Sequence, residues 1–424
     1  MTLVNDISIN NIINLIEEWN ILKYHEIEEL KKSILLTSTE YILNNILDII
    51  NPDFDKKLIN YIYQLHLIQI QHLYDNDTKY IVQFKIKKYI NSIKPILYTK
   101  VIPPRSYKNS FIRNISYNIE HVRKKINYLQ NVIQPIQRSD EWYIFRHNLL
   151  TASSAWKVFG SQSIKNQLIY EKCRPYNIYK HPPIDSPLHW GQKYEPISIE
   201  FYKKLYKTEI TDYGCIKHSK YPFIGASPDG INTDSQNPRY GRMLEIKNIV
   251  NRKINGIPKL EYWIQMQLQM ETCDLNECDF LETRFIEYDN EDAFYNDGSF
   301  TYSHDNKLKG AIILFSDNGI PHYEYAPLYI TKNEYDNWVE YILDKNSHCE
   351  WVQNQFWKLD EYSNILVLRN KLWFTNAVPY IENIWNIILH ERCYGYEHRA
   401  PKKRKSIQCK NNLLSKCHIN IEKL

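Results

Sequence analysis

"GASPDGINTDSQNPRYGRMLEIKN", residues 225–248, sets Asp229 sixteen positions ahead of Glu245 and eighteen ahead of Lys247. In "MLEIKN", strand geometry sends alternate side chains to opposite faces, so Leu244 and Ile246 point one way and Glu245 and Lys247 the other. One face is free to enter a core while the other presents a carboxylate beside an ammonium. For this segment alone, a half-buried strand with a surface ion pair is the simpler reading. Asp229 shifts the balance: in "SPDG", Pro228 and Gly230 fix a tight bend at a strand and leave the carboxylate projecting. Two carboxylates converging on one point repel each other unless a cation neutralises them, and hard oxygen donors suit Mg2+ or Mn2+. The connection "INTDSQNPRYG" then serves to turn Asp229 back beside Glu245, with no ligand role required of its Asp234.

Outward from this stretch, the spacing predicts further elements. Upstream, "GQKYEPISIEFYKKLYK" (residues 191–207) carries Ile197, Phe201 and Leu205 as a helical stripe. "YPFIGASPDGI" reads as one strand running into the bend. Downstream, residues 259–272 read as a helix in which Tyr262, Gln265 and Gln269 share a face. "AIILFSDNGIPHYEY" signals a hairpin around Asn318-Gly319, and Thr331 with Glu334 forms a capping box for a later helix. The first 130 residues read as helical, with Ile42, Leu43, Ile46, Leu47 and Ile50 behind a second capping-box pattern, Thr37 to Glu40. "KPILYTKVIPPRSYKNS" (residues 94–110), with three prolines, reads as a linker or basic loop.

The chain has 424 residues, 43% of them apolar and 14% aromatic, which suffices for two to three domains and excludes disorder throughout. No apolar run of membrane-spanning length and no secretory leader pattern is evident, so a soluble intracellular protein with no membrane partner is expected. Eight cysteines lie scattered without a CxxC pair, which favours free thiols over a disulfide framework or zinc ribbon. The net charge of +4 is unevenly spread: residues 399–424 hold eight Lys/Arg against one Glu, and residues 85–125 hold eleven against Glu120. Clustered cations gain by releasing counterions from a polyanion; alone, they are equally well explained as solvated surface charge. "PKKRK" (residues 401–405) fits a nuclear localisation signal or a DNA-binding arm, giving host cytoplasm or nucleus as the expected location.

The bend Asp followed by Glu-x-Lys resembles the mark of the restriction-endonuclease-like, PD-(D/E)XK superfamily, and four further matches in order narrow the resemblance to its lambda-exonuclease-like, YqaJ-type viral recombination nucleases. "EWYIFRHNLLTASSAWKVFG" (residues 141–160) is similar to the family's opening Trp, Arg and Thr-Ala-Ser. "WGQKYEP" (residues 190–196) resembles its Gly-x-x-x-Glu helix, Ser227 in "SPDG" its phosphate-holding serine, and "YWIQMQLQM" (residues 262–270) its Tyr-x-x-Gln-x-Gln helix. The match spans residues 138–288, about a third of the chain.

The resemblance implies an α/β fold: a restriction-endonuclease-like core, a mixed β-sheet flanked by helices, over residues 131–395, behind an N-terminal helical domain (1–130) and ahead of a basic tail (396–424). It implies Asp229, Glu245, Glu195 and the Ile246 backbone carbonyl as ligands of one or two Mg2+ ions. Lys247 and Gln265 would join the carboxylates in catalysis, and Arg146, Ser153 and Ser227 would hold phosphate. The expected activity is 5′-to-3′ exonucleolytic hydrolysis of double-stranded DNA ends in viral-type recombination, repair or replication, with a single-strand annealing protein and self-assembly as possible partnerships. Two alternatives stay open: an endonuclease with the same active site, and a non-catalytic DNA-binding module, which would need a degraded metal site.

Overall fold

The computed structural model describes residues 24–51, 53–70, 76–100, 119–137, 139–175 and 186–401. Its strands, in chain order, are β1 Leu150–Thr151, β2 Ile210–Thr211, β3 Ile216–Lys217, β4 Ile224–Ala226, β5 Gly230–Asn232, β6 Met243–Asn248, β7 Glu277–Glu287, β8 Lys309–Asp317, β9 Ile320–Tyr325 and β10 Glu350–Leu368. They form a seven-stranded mixed sheet, β2-β5-β6-β7-β10-β8-β9, and a three-stranded sheet, β1-β4-β3. The α/β architecture with helices flanking a mixed sheet is therefore present.

Strands β6 and β7 run parallel, with Glu245 beside Phe280 and Lys247 beside Glu282. Parallel neighbours need a crossover, and the helix Leu260–Cys273 supplies it. β5 pairs antiparallel with β6 only through Gly230–Leu244 and Ile231–Met243, leaving the later half of β6 uncovered on that edge. Both faces of β6 are packed. Leu244 and Ile246 meet Leu281 and Tyr202 beneath the helix Pro187–Tyr206, while Met243 joins Trp263, Ile264 and Phe280 in the largest core cluster. Parallel strands covered on both faces need near-continuous burial; Met243 through Ile246 are all buried, more than the half-buried strand expected.

Burial on this scale draws charges inside, and those beside β6 are paired. Arg242 donates through Nε to Glu277 (2.9 Å) and through Nη1 to Asp279 (3.1 Å), while Arg239 and the Tyr202 hydroxyl also donate to Asp279, at 3.2 and 2.6 Å. A buried ion left alone would oppose folding strongly. This network ties the turn before β6 to β7 and to the helix above.

Several expectations change against the structure. Thr37 lies inside the helix Tyr24–Asn44, its hydroxyl donating to the Ser33 carbonyl at 2.8 Å, so Thr37–Glu40 caps nothing. The helix Asn76–Lys100 continues through Pro95, which places only residues 101–110 of the expected linker beyond it, outside the described residues. The helix Ile119–Gln130 buries Val122, Ile126 and Leu129 in the main core, whereas Ile34, Ile42, Phe54, Leu58, Ile62 and Ile86 form a separate N-terminal cluster. "YPFIGASPDGI" is two strands, β4 and β5, in different sheets. The Asn318-Gly319 hairpin and the Thr331–Glu334 capping box form as expected, with φ of 51° and 82° at the two hairpin residues. Arg399 is held by Glu391, with Nε contacts of 2.7 and 2.8 Å, and so belongs to the folded part. The rest of PKKRK after Pro401 lies outside the described residues. Among the described residues, no helix is long and apolar enough to cross a membrane, and Cys173, Cys215, Cys273, Cys278, Cys349 and Cys393 are free thiols.

Candidate active site

Asp229 stands where the chain passes from β4 to β5. Gly230 permits this crossing: a Cβ there would meet the Ile210 side chain of β2 at 2.1 Å. The carboxylate turns onto the uncovered edge of β6, and its Oδ2 accepts from the Ile246 backbone N–H at 2.6 Å. A polar backbone group near the core requires a partner; here the aspartate replaces a missing strand. Glu245, fully buried, accepts from the Lys247 ammonium on one oxygen and from Gln269 Nε2 on the other, at 2.7 Å. Glu195, on the helix Pro187–Tyr206, lines the same cleft of about 520 Å3 as Asp229, Ile246, Lys247 and Tyr262.

The electrostatics follow from this crowding. Burial pushes the Asp229 carboxyl well above its usual range, and the charges of Glu245 and Glu195 push it further; Lys247 and the Ile246 N–H oppose them. Burial acts against the Lys247 ammonium, but Glu245 and Asp229 outweigh it and hold its pKa above the ordinary lysine value. A divalent cation would relieve the mutual repulsion of these carboxylates, and the donors are the hard oxygens such a cation takes. Among the described residues no group of three or more His, Cys, Asp or Glu side chains is placed to hold a metal ion. The oxygens that would hold one here are those of Asp229, Glu245 and the Ile246 carbonyl, with Glu195 lining the same cleft as Asp229.

Arg146 and Ser227 are brought together although 81 residues apart, Arg146 Nη1 donating to Ser227 Oγ at 2.5 Å. The guanidinium also lies over the Trp142 ring, 4.4 Å from its centroid. Ser227 in turn accepts at its backbone carbonyl from Gln269 Nε2, at 3.1 Å. One hydrogen-bonded series therefore runs Arg146–Ser227–Gln269–Glu245–Lys247. Ser153 is exposed in the four-residue helix Ala152–Ala155, 3.3 Å from the Thr151 hydroxyl, and no direct bond to Arg146 is described. Behind Arg146, Lys172 donates to its carbonyl at 3.0 Å. Burial, then Arg146 and Arg392, bring Lys172 down to about 7, and burial with Lys172 and Arg392 brings His147 down to about 4.

Gln265 is partly exposed, on the helix face between Tyr262 and Gln269, and makes none of the hydrogen bonds described for the site. Sequence reasoning put it there and passed over three neighbours. Gln269, one turn on, is the amide that reaches Glu245. Tyr262 faces Lys247, whose Nζ is 5.2 Å from the ring centroid. Asn248 donates to the Gly191 carbonyl at 2.8 Å and accepts from Ser198 and Thr283 at 2.7 Å, fastening β6 to the helix that carries Glu195. The shared face of Tyr262, Gln265 and Gln269 was the available signal. What it lacked was the rotation of the helix over β6.

Against known proteins, residues 141–276 match the family described as "YqaJ-like viral recombinase domain". An uncharacterised protein of Acanthamoeba polyphaga mimivirus is 28% identical over 329 residues, covering 68% of this chain and 59% of that protein. The chain thus spans about three fifths of that relative's length. Among solved structures, the alkaline exonuclease LHK-Exo of Laribacter hongkongensis is similar at 17% identity, covering 60% of this chain and 95% of that one with a TM-score of 0.36. Its complex with dAMP gives 18% identity, the same coverage and a TM-score of 0.35. The segment that brings Arg146, Glu195, Ser227, Asp229, Glu245 and Lys247 together is the one that matches the YqaJ-like viral recombinase family.

Proposed function

We propose that the chain is a Mg2+-dependent DNA nuclease, with Mn2+ as a possible substitute, acting as a 5′-to-3′ exonuclease on double-stranded ends. The observation that carries this reading is that Asp229 and Lys247, from an Asp at a bend and the next strand but one, line one cleft with Glu195, while Glu245 is buried directly behind, paired to Lys247. When bound, the metal supplies Lewis-acid stabilisation of phosphoryl charge and lowers the pKa of an attacking water. Asp229 and Glu245 fix the donor geometry, one held by the Ile246 N–H and the other by Gln269. Lys247, kept protonated by Glu245 and Asp229, offsets negative charge on the scissile phosphate and orients water. Arg146 offers a planar guanidinium for a terminal phosphate, with Ser227 setting its direction and Ser153 exposed nearby in sequence.

The test is digestion of linear and covalently closed circular duplex DNA, with and without Mg2+, by the wild type and by Lys247→Ala. Mg2+-dependent loss of the linear form alone, abolished in the variant, is expected. Wild-type rates in Lys247→Ala would remove the assignment, and cutting of the closed circle would make the enzyme an endonuclease. Arg146→Ala should slow 5′-phosphorylated ends selectively; equal loss on hydroxyl ends would remove its end-recognition role.

A further inference from the structure

Beside the catalytic cleft lies a second cavity of about 370 Å3, which shares Pro187 and Val250 with the first. The helix Pro187–Tyr206 separates them: Gly191, Gln192 and Glu195 line one, and His189, Trp190 and Lys193 line the other. Its far wall comes from β7, β8, β9 and β10, through Glu287, Leu314, Tyr323, Gln353 and Gln355. These five residues lie outside the 141–276 match, so this wall, facing the helix from within the match, is what the chain adds beyond the family segment.

Its chemistry is aromatic and amide. Tyr323 and His189 are linked by a 2.6 Å hydrogen bond with ring centroids 5.7 Å apart, and Trp190 stands one residue on. Lys193 is the only Lys or Arg among the lining residues, and it is already neutralised: its ammonium donates to Glu287 at 2.6 Å and to Gln355, while Gln355 and the Tyr194 hydroxyl also donate to Glu287. A cavity whose one cation is spent internally does not suit a phosphate. Aromatic faces with amide edges suit a flat, neutral heterocycle that hydrogen-bonds at its rim, and every nucleobase has such a face.

We infer that this second cavity receives a nucleobase of the DNA strand whose backbone lies in the catalytic cleft, stacked against Tyr323, which His189 holds in place, and bonded at its edge by Gln353. The inference rests on the nuclease reading for its substrate, and it gives the strands after residue 276 a role in gripping the strand being digested. Because the amide can offer either donor or acceptor, grip without base preference is expected.

The experiment measures binding of the full chain, in EDTA, to a ten-nucleotide single strand and to the same backbone made wholly abasic. Wild type, Tyr323→Leu and Gln353→Ala are compared, Gln353 being exposed and tolerant of truncation. Tyr323→Leu should weaken the base-bearing strand about tenfold, the scale of one base–aromatic stack, and leave the abasic strand unchanged; Gln353→Ala should act in the same direction more weakly. Equal weakening of both strands, or of neither, by both variants overturns the inference. Mg2+-dependent digestion by the wild type is run alongside. If digestion is seen and the base-dependent difference is not, only the cavity assignment falls; if no digestion is seen, the nuclease reading fails separately.

Discussion

Replacing Gln269 with leucine tests whether the hydrogen-bonded series through the site is a working part. Gln269 is fully buried, and its single NH2 group serves two acceptors, Glu245 Oε2 at 2.7 Å and the Ser227 carbonyl at 3.1 Å. Leucine fills nearly the same space and donates nothing. A hydrogen bond to a charged group contributes about 1.5–3 kcal/mol, and a buried acceptor left without a donor costs about 1–3 kcal/mol. If the first quantity is what keeps Glu245 aimed at the metal position, the rate falls by about 10- to 150-fold, since each 1.36 kcal/mol is a factor of ten. The second quantity appears as lost stability. The assay is the initial rate of nucleotide release from linear duplex in saturating Mg2+, paired with the urea midpoint of the same protein. Gln265→Leu is the comparison, because Gln265 has no described bond to Glu245 or Ser227 and its loss should leave the urea midpoint in place. A folded Gln269→Leu protein with a rate within about twofold of wild type would refute the reasoning, as would a drop in urea midpoint confined to Gln265→Leu.

Two other perturbations probe the scaffold. Arg242→Met removes the partner of Glu277 and one of the partners of Asp279, both within the core. Stranding a buried charge costs about 3–5 kcal/mol, with the lower end expected because Arg239 still faces Asp279; a urea midpoint within error of wild type would show the network to be dispensable. His147, brought down to about 4 from an ordinary 6.5, is neutral when folded. Between those two pH values the unfolded chain binds the extra proton, so stability should fall as pH drops through the window and be unaffected by this group above it. His147→Asn should flatten that part of the curve of urea midpoint against pH, and an unchanged slope would exclude the histidine as its source.

Legibility in the sequence tracked the range of the forces involved. Glu245 and Lys247 share a face because of a two-residue period, and the Asn318-Gly319 hairpin needs only two residues able to take positive φ. Both are local facts. The two capping-box patterns show where local reasoning fails, because Thr331 and Thr37 head the same four-residue signature. Thr331 follows a segment that includes Tyr329 at φ 67°, where no helix can be running, so its hydroxyl is free to cap. Thr37 follows thirteen residues already in helix, and its hydroxyl turns back to Ser33 instead. Gln269 was hidden for a related reason: periodicity gives the face it shares with Tyr262 and Gln265, but only packing across β4, β6 and the helix decides which amide meets Glu245. The 19-residue β10 gave no signal of its own, since its partners are β7 and β8, on either side of it in the sheet and earlier in the chain.

The helix Pro187–Tyr206 connects these levels. Its turn at Lys193–Glu195 presents Lys193 to the second cavity and Glu195 to the catalytic cleft, positions two apart that a helix sends to different sides. A helix placed by hydrophobic contact alone could slide, and a shift of one residue would take Glu195 out of the cleft. Asn248 blocks that slide. Its amide holds the Gly191 carbonyl at 2.8 Å while its oxygen accepts from Ser198 on the same helix and Thr283 on β7. Asn248 is also the residue after Lys247, so the strand that carries Glu245 and Lys247 fixes the register of the helix that carries Glu195. Glu195 therefore keeps its spacing from Glu245 through one side chain at the end of β6, as Asp229 does through the Ile246 N–H.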